Sequence, residues 1–239
     1  MSTFTSFRPK GLTFLRQLKR HNDRTWFMDH RATYDEELLD PLRLLVEELD
    51  VRCADFAPEI VGNPKRSIFR IHRDVRFSKD KSPYKTHVSF WLTHVRAGHG
   101  VGSETHGAGA GYYVHVEPGA SMVAGGIWMP PRDRLAAIRD AIAENPKAFA
   151  STLADPSFKR RFSSLSTEGM LKRLPRGFAP GHPAEPYLRY VSFTVSAPLT
   201  DDQVLNAKLP ERIEKDFRLM LPFVRWLNTA LGYPPVARR

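Results

Sequence analysis

Apolar residues in this chain recur at two different periods, and the change from one to the other divides it into helical ends and a β-rich middle. Leu12, Leu15 and Leu18 follow a proline suited to a first helical turn and predict a short amphipathic helix from Pro9 to Arg20. Asn22 or Asp23 can cap a second helix, along which Phe27, Tyr34, Leu38, Leu42, Leu45 and Leu49 trace an apolar stripe as far as Asp50. Pro41 interrupts that stripe and predicts a kink or a division. After Asn63-Pro64 the period becomes two. From Ile68 to Phe77 a strand would send Phe69, Ile71, Arg73, Val75 and Phe77 to one face and Arg70, His72, Asp74 and Arg76 to the other. Ser78 to Pro83 reads as a turn.

A second strand, Thr86 to Val95, would place Val88, Phe90 and Leu92 on its core face. The glycine- and histidine-rich stretch 97–111 reads as a long hairpin connection, without the spacing of a phosphate-binding loop. Tyr112 to Glu117 and Ser121 to Met129 predict two further strands joined at Pro118-Gly119, with Tyr113, His115 and Glu117 on one face. A helix from Pro131 to about Asn145, shorter helices over 147–161 and an irregular loop over 163–186 come next. Tyr187 to Val195 reads as a strand by its β-branched and aromatic content, Thr200 as a helix cap, and Pro210 to Leu231 as the last helix. The expected architecture is α+β: one domain over residues 1–239, a mostly antiparallel sheet of about five or six strands, and helices from both termini flanking it.

Arg73 falls among apolar neighbours, and a buried guanidinium needs a carboxylate to take its fork of donors, which Asp80 or an acid from elsewhere in the chain would have to supply. On the polar face Arg70 and Arg76 can each offer two parallel donors to a phosphate or carboxylate, with Lys81 and Lys85 adding charge from the turn. Asp74 would orient one arginine and Tyr84 would supply a hydroxyl. The ligand-contacting set expected is therefore Arg70, Arg73, Asp74, Arg76, Asp80, Lys81 and Tyr84, around an anionic small molecule. The same residues also suit a second arrangement, an ion-pair network that fixes strand to turn.

The spacing Arg70-x-x-Arg73-Asp74-x-Arg76-Phe77-x-x-Asp80-Lys81-x-x-Tyr84 resembles the signature of a bacterial family of uncharacterised function. Asn22-x-x-x-Trp26-Phe27, following a short helix, is similar to that family's N-terminal element. The resemblance runs over nearly the whole chain and implies no assigned activity.

At 239 residues and 41% hydrophobic composition the chain can bury a sizeable core. Thirty-six basic against 26 acidic residues give a net charge of +10, which makes nucleic acid the alternative partner, through Lys159 to Arg161, Lys172 to Arg176 and the final helix. No aromatic RNA-binding signature or helix-turn-helix pattern accompanies that charge. Cys53 is the only cysteine and cannot form an intramolecular disulfide. No apolar run is long enough for a membrane span and Met1 to Lys10 has no signal-peptide core, so the expected location is cytoplasmic.

Several chemistries are excluded by spacing. His72-Arg73-Asp74 matches a kinase catalytic tripeptide, but Lys79 stands where that loop needs a metal-holding asparagine. No Gly-x-Ser-x-Gly elbow appears, and Cys53 lacks the context of a nucleophile. His87, His94, His99, His106 and His115 cluster with Glu104 and Glu117, yet none are paired at the helical i, i+4 spacing, and no metal site is expected. Acid–base pairing of Asp74 with His72 or His115 stays open, and no cofactor or reaction is assigned.

Overall fold

The computed structural model describes residues 4–76, 78–97, 109–162 and 164–236. Pro9 lies in the first turn of α1 (Pro9–Arg20), where its missing N–H would have had no helical acceptor. The stripe after Asp23 is not one helix but four pieces: α2 (Arg24–Asp29), α3 (Arg31–Tyr34), a π-helical turn at Asp35–Leu39, and α4 (Asp40–Phe56). Asp23 caps α2 by accepting from the Trp26 N–H at 2.9 Å. Pro41 cannot donate to the carbonyl of Glu37 four residues back, and just before it the helix widens, the Asp40 N–H bonding to the carbonyl of Asp35. Gly11 of α1 approaches at that point, where an added Cβ would lie 2.7 Å from the Glu37 backbone oxygen. The divisions leave the stripe intact, and all six of its residues, Phe27 to Leu49, are buried.

Five strands follow the order β1 (Ile60–Val61), β2 (Val88–His94), β3 (Gly111–Val116), β4 (Met122–Ile127) and β5 (Phe193–Pro198), each antiparallel to its neighbour. Between β4 and β5 come α5 (Arg132–Glu144), α6 (Pro146–Thr152), α7 (Pro156–Arg161) and α8 (Glu185–Leu188). After β5 a Thr200/Gln203 capping box starts α9 (Asp201–Val204), and α10 (Leu209–Ala230) closes the chain. The result is an α+β fold in which helices from both ends flank a central antiparallel sheet.

One sheet face carries Val88, Phe90, Leu92, Tyr112, Val114, Val116, Val123 and Ile127, all buried as the alternation predicts. Burying side chains of this size stabilises the fold by about 1.5–3 kcal/mol each. The Tyr112 ring stacks on Phe217 of α10 at 4.1 Å, and Gly125 leaves room for Met220 of the same helix, whose sulfur would lie 2.7 Å from an added Cβ. Register places polar and small residues side by side on the other face: Ser89, His115 and Met122 in one row, Trp91, Tyr113, Ala124 and Ser196 in the next. No helix among the described residues is long and apolar enough to cross a membrane.

Two expected strands are corrected. Ile68 to Phe77 is not a regular strand: Ile68 and His72 form only isolated bridges, to Phe90 and Tyr84. The segment changes partner partway along. Phe69 donates to the Ser89 carbonyl on the edge of β2, whereas Arg73 and Lys85 bond across to Pro83 and Ile71 in a hairpin of the segment's own. Alternating exposure survives without the strand: Ile71 is buried, while Arg70, His72, Asp74 and Arg76 are exposed. Phe77 lies outside the described residues. The strand expected from Tyr187 begins only at Phe193, because Pro186 opens the short α8 and Arg189 pairs with Glu185 one turn back at 2.7 Å. Tyr187 and Tyr190 serve as packing groups instead, against Phe149 and Phe193. Most of the expected loop, residues 98–108, falls outside the described residues, but the strands it joins do pair as an antiparallel hairpin.

Candidate functional site

Within the hairpin most of the charges named from the sequence are bonded to one another. Arg76 grips Asp74 through Nε at 3.0 Å and Nη2 at 2.7 Å, and its backbone N–H donates to the same carboxylate. These bonds hold the Asp74 carboxyl at about 2. Asp80 accepts from the Ser82 hydroxyl at 2.6 Å, from the Ser82 N–H and from Arg73, and its carboxyl lies far below the ordinary range. Arg73 thus finds the predicted partner, but not the predicted burial. Its side chain keeps 28% of its accessibility and that of Asp80 keeps 59%. Lys81 Nζ donates to the Val75 carbonyl at 3.0 Å.

Tyr84 is in the core, with its ring stacked on Phe27 at 4.1 Å. The Asn22 side chain bonds both backbone groups of Tyr84, donating to its carbonyl and accepting from its N–H at 3.0 Å each. This ties the hairpin to the α1–α2 junction. Asp74 is paired with neither His72 nor His115. His72 is exposed beside the Tyr84 ring.

Arg70 stands apart from this lattice: it is exposed and forms no hydrogen bond or ion pair among the described residues. It is near enough to Lys85 for its charge to be felt there. Burial and the Arg70 charge lower the lysine's proton affinity, and the ammonium lies 5.3 Å from the centre of the Phe69 ring.

Two residues further on, His87 faces His115 of β3, ring centroids 4.1 Å apart. His115 lies between Tyr113 and Glu117, its Nδ1 3.0 Å from the Tyr113 hydroxyl and its Nε2 3.1 Å from Glu117 Oε2. Thr86 donates to the other Glu117 oxygen at 3.0 Å. Burial pushes His87 down to about 4, with His115 and Lys85 beside it acting in the same direction, and burial lowers His115 as well. The same burial would raise Glu117, but hydrogen bonds from His115 and Thr86 outweigh it and bring the carboxyl below its ordinary value. The consistent assignment is a neutral His115 that donates from Nε2 to an ionised Glu117 and accepts at Nδ1 from Tyr113. The sequence pattern puts Tyr113, His115 and Glu117 on one face, but the histidines have no helical i, i+4 spacing and several fall in or beside the glycine-rich stretch. The missing step was the pairing of Ser89 with His115, which brings the run just before β2 alongside β3.

The five-stranded antiparallel sheet with helices from both termini flanking it makes this an α+β protein. The chain belongs to the family described as "Conserved hypothetical protein (DUF2461)", which it matches over residues 10–226, a span that includes the hairpin and the histidine pair. No curated protein and no solved structure matches it.

Proposed function

We propose that this protein binds an anionic small molecule bearing phosphate or carboxylate, met by Arg70 and Lys85 beside the polar sheet face. The observation that carries this reading is the pairing of like charges. Arg70 has no carboxylate partner among the described residues and its charge, second to burial, lowers the proton affinity of Lys85, while Asp74, whose carboxyl feels Arg70, is taken by Arg76. An anion between the two cations would relieve their repulsion, and the guanidinium fork suits its oxygens. In this reading Arg73, Asp74, Arg76, Asp80 and Lys81 frame the hairpin that presents Arg70, and Tyr84 anchors it.

Thermal-shift measurements with inorganic phosphate, a sugar phosphate and a dicarboxylate test this. A ligand at one hundred times its Kd stabilises the folded state by about 2.7 kcal/mol. At least one of these anions should raise the melting temperature of the wild type, and Arg70→Ala and Lys85→Ala should abolish that rise, whereas Arg76→Ala should keep it. An equal rise in all variants, or none in the wild type, would refute the assignment. Nucleic acid is the competing partner, and three of the cations that suggested it are already paired, Arg161 and Arg212 with Asp216 and Arg218 with Glu214. Oligonucleotide binding that weakens with salt at a log–log slope of about −0.9 per duplex phosphate would favour that partner instead.

A further inference from the structure

We propose that His87, His115 and Glu117 form a binding site for one divalent first-row transition-metal ion. Ligand atoms from the three side chains all lie within 4.8 Å of one another. Around a tetrahedral ion with bonds of about 2.0–2.1 Å, neighbouring donors stand about 3.3 Å apart. His115 Nε2 and Glu117 Oε2 are already 3.1 Å apart, so a small separation of these two atoms admits the ion. Two imidazoles and one carboxylate suit zinc and its first-row neighbours rather than magnesium or calcium, which favour all-oxygen shells.

Three further features fit this assignment. His87 is half-buried, and its ring nitrogens have no hydrogen-bond partner among the described residues, which leaves a lone pair available next to His115. Thr86 holds Glu117 Oε1, which orients the carboxylate and leaves Oε2 as the ligand. The Tyr113 oxygen lies 3.0 Å from His115 Nδ1. When Nε2 takes the metal, the single ring proton shifts from Nε2 to Nδ1 by exchange with solvent, the imidazole stays neutral, and the hydrogen bond to Tyr113 reverses. The hydroxyl then accepts, as the outer partner of a metal-bound histidine does. Three protein ligands leave a fourth position of a tetrahedral ion open, the pattern of sites that admit a further ligand rather than of closed structural sites.

The ligands differ from the cations of the anion proposal, so either proposal can fail without the other. The test uses full-length, tag-free protein stripped with a chelator, titrated calorimetrically with Zn2+ and, in parallel, spectroscopically with Co2+. Binding should saturate at one equivalent, and Co2+ should develop visible ligand-field bands. His87→Ala and Glu117→Gln should each weaken binding at least tenfold and alter those bands. Thr86→Val, which leaves all three ligands in place, should weaken binding by about tenfold, and His182→Ala should change nothing. His87 is only half-buried, so its alanine variant should keep the wild-type circular dichroism and report binding independently of folding. Absence of a saturable equivalent in the wild type, or affinity unchanged in both His87→Ala and Glu117→Gln, would overturn the site.

Discussion

Asn22 commits both ends of its side-chain amide to the backbone of Tyr84, as a neighbouring strand would. Because Tyr84 is 3% exposed, Asn22→Ala leaves its N–H and C=O poorly placed to recover water. A loss of about 1–3 kcal/mol is expected for each buried group left without a partner. Arg73→Ala gives a useful comparison, since it removes an ion pair whose carboxylate is open to solvent, and such pairs contribute little. In urea denaturation Asn22→Ala should lower the midpoint clearly more than Arg73→Ala, and the reverse order would show that the hairpin is held by its charges. The sequence pattern marked both residues but gave a stabilising role to Arg73 alone. Asn22 and Asp23 both suited the helix cap, and the role falls to Asp23, while Arg73 read as buried because its neighbours alternate. Alternation reports which way a side chain points; it does not report whether another layer covers it.

Elements with a strong period were legible, among them α1, α10 and the strands β2 to β4, because one apolar face decides each. Where two structures satisfy the same pattern, tertiary partners decided. The Ile68 to Phe77 segment has strand-like alternation but leaves the sheet edge for its own hairpin, and Tyr187 to Tyr190 has strand-like composition but begins with a proline-started turn of helix. The π-helical turn had a visible signal in Pro41, although the approach of Gly11 to Glu37 did not. Gly11→Ala tests that contact. Alanine is favoured over glycine by up to about 1 kcal/mol inside a helix, yet here its methyl would meet a backbone oxygen at 2.7 Å. Overpacking of this kind costs about 1–3 kcal/mol, so the melting temperature should fall. A rise would show that α1 moves away freely and that the close approach is incidental.

At the scale of the whole molecule, cooperative unfolding exposes buried phenols whose ionisation the fold opposes. Burial, with the Asp35 charge adding to it, raises Tyr34 to about 12. A folded-state pKa above the unfolded one, near 10, means that this contribution to stability is complete below about pH 10 and disappears as pH rises towards 12. Denaturant unfolding at intervals from pH 9 to 12 should show Tyr34→Phe losing less stability than wild type over that window, and parallel curves would show that the phenol is not protected. The candidate site belongs to this scale too. Its tyrosine and histidine on β3 and the carboxylate just past the end of that strand were legible as one face, but His87 joins them only through the pairing of β2 with β3, across a connection whose length conveys no register.

The Asn22 bonds to Tyr84 also impose an order on synthesis. The partners are 62 residues apart, and a ribosome adding about 5–20 residues per second needs roughly 3 to 12 seconds to pass from one to the other. During that interval water must satisfy the Asn22 amide, while α1 has all its residues and can begin to form. Lys85, Thr86 and His87 follow Tyr84 directly, so the segment that carries these candidate ligand groups leaves the ribosome just as its anchor becomes available. Asn22 therefore waits for its partner, and the edge of the site is set only when the middle of the chain arrives.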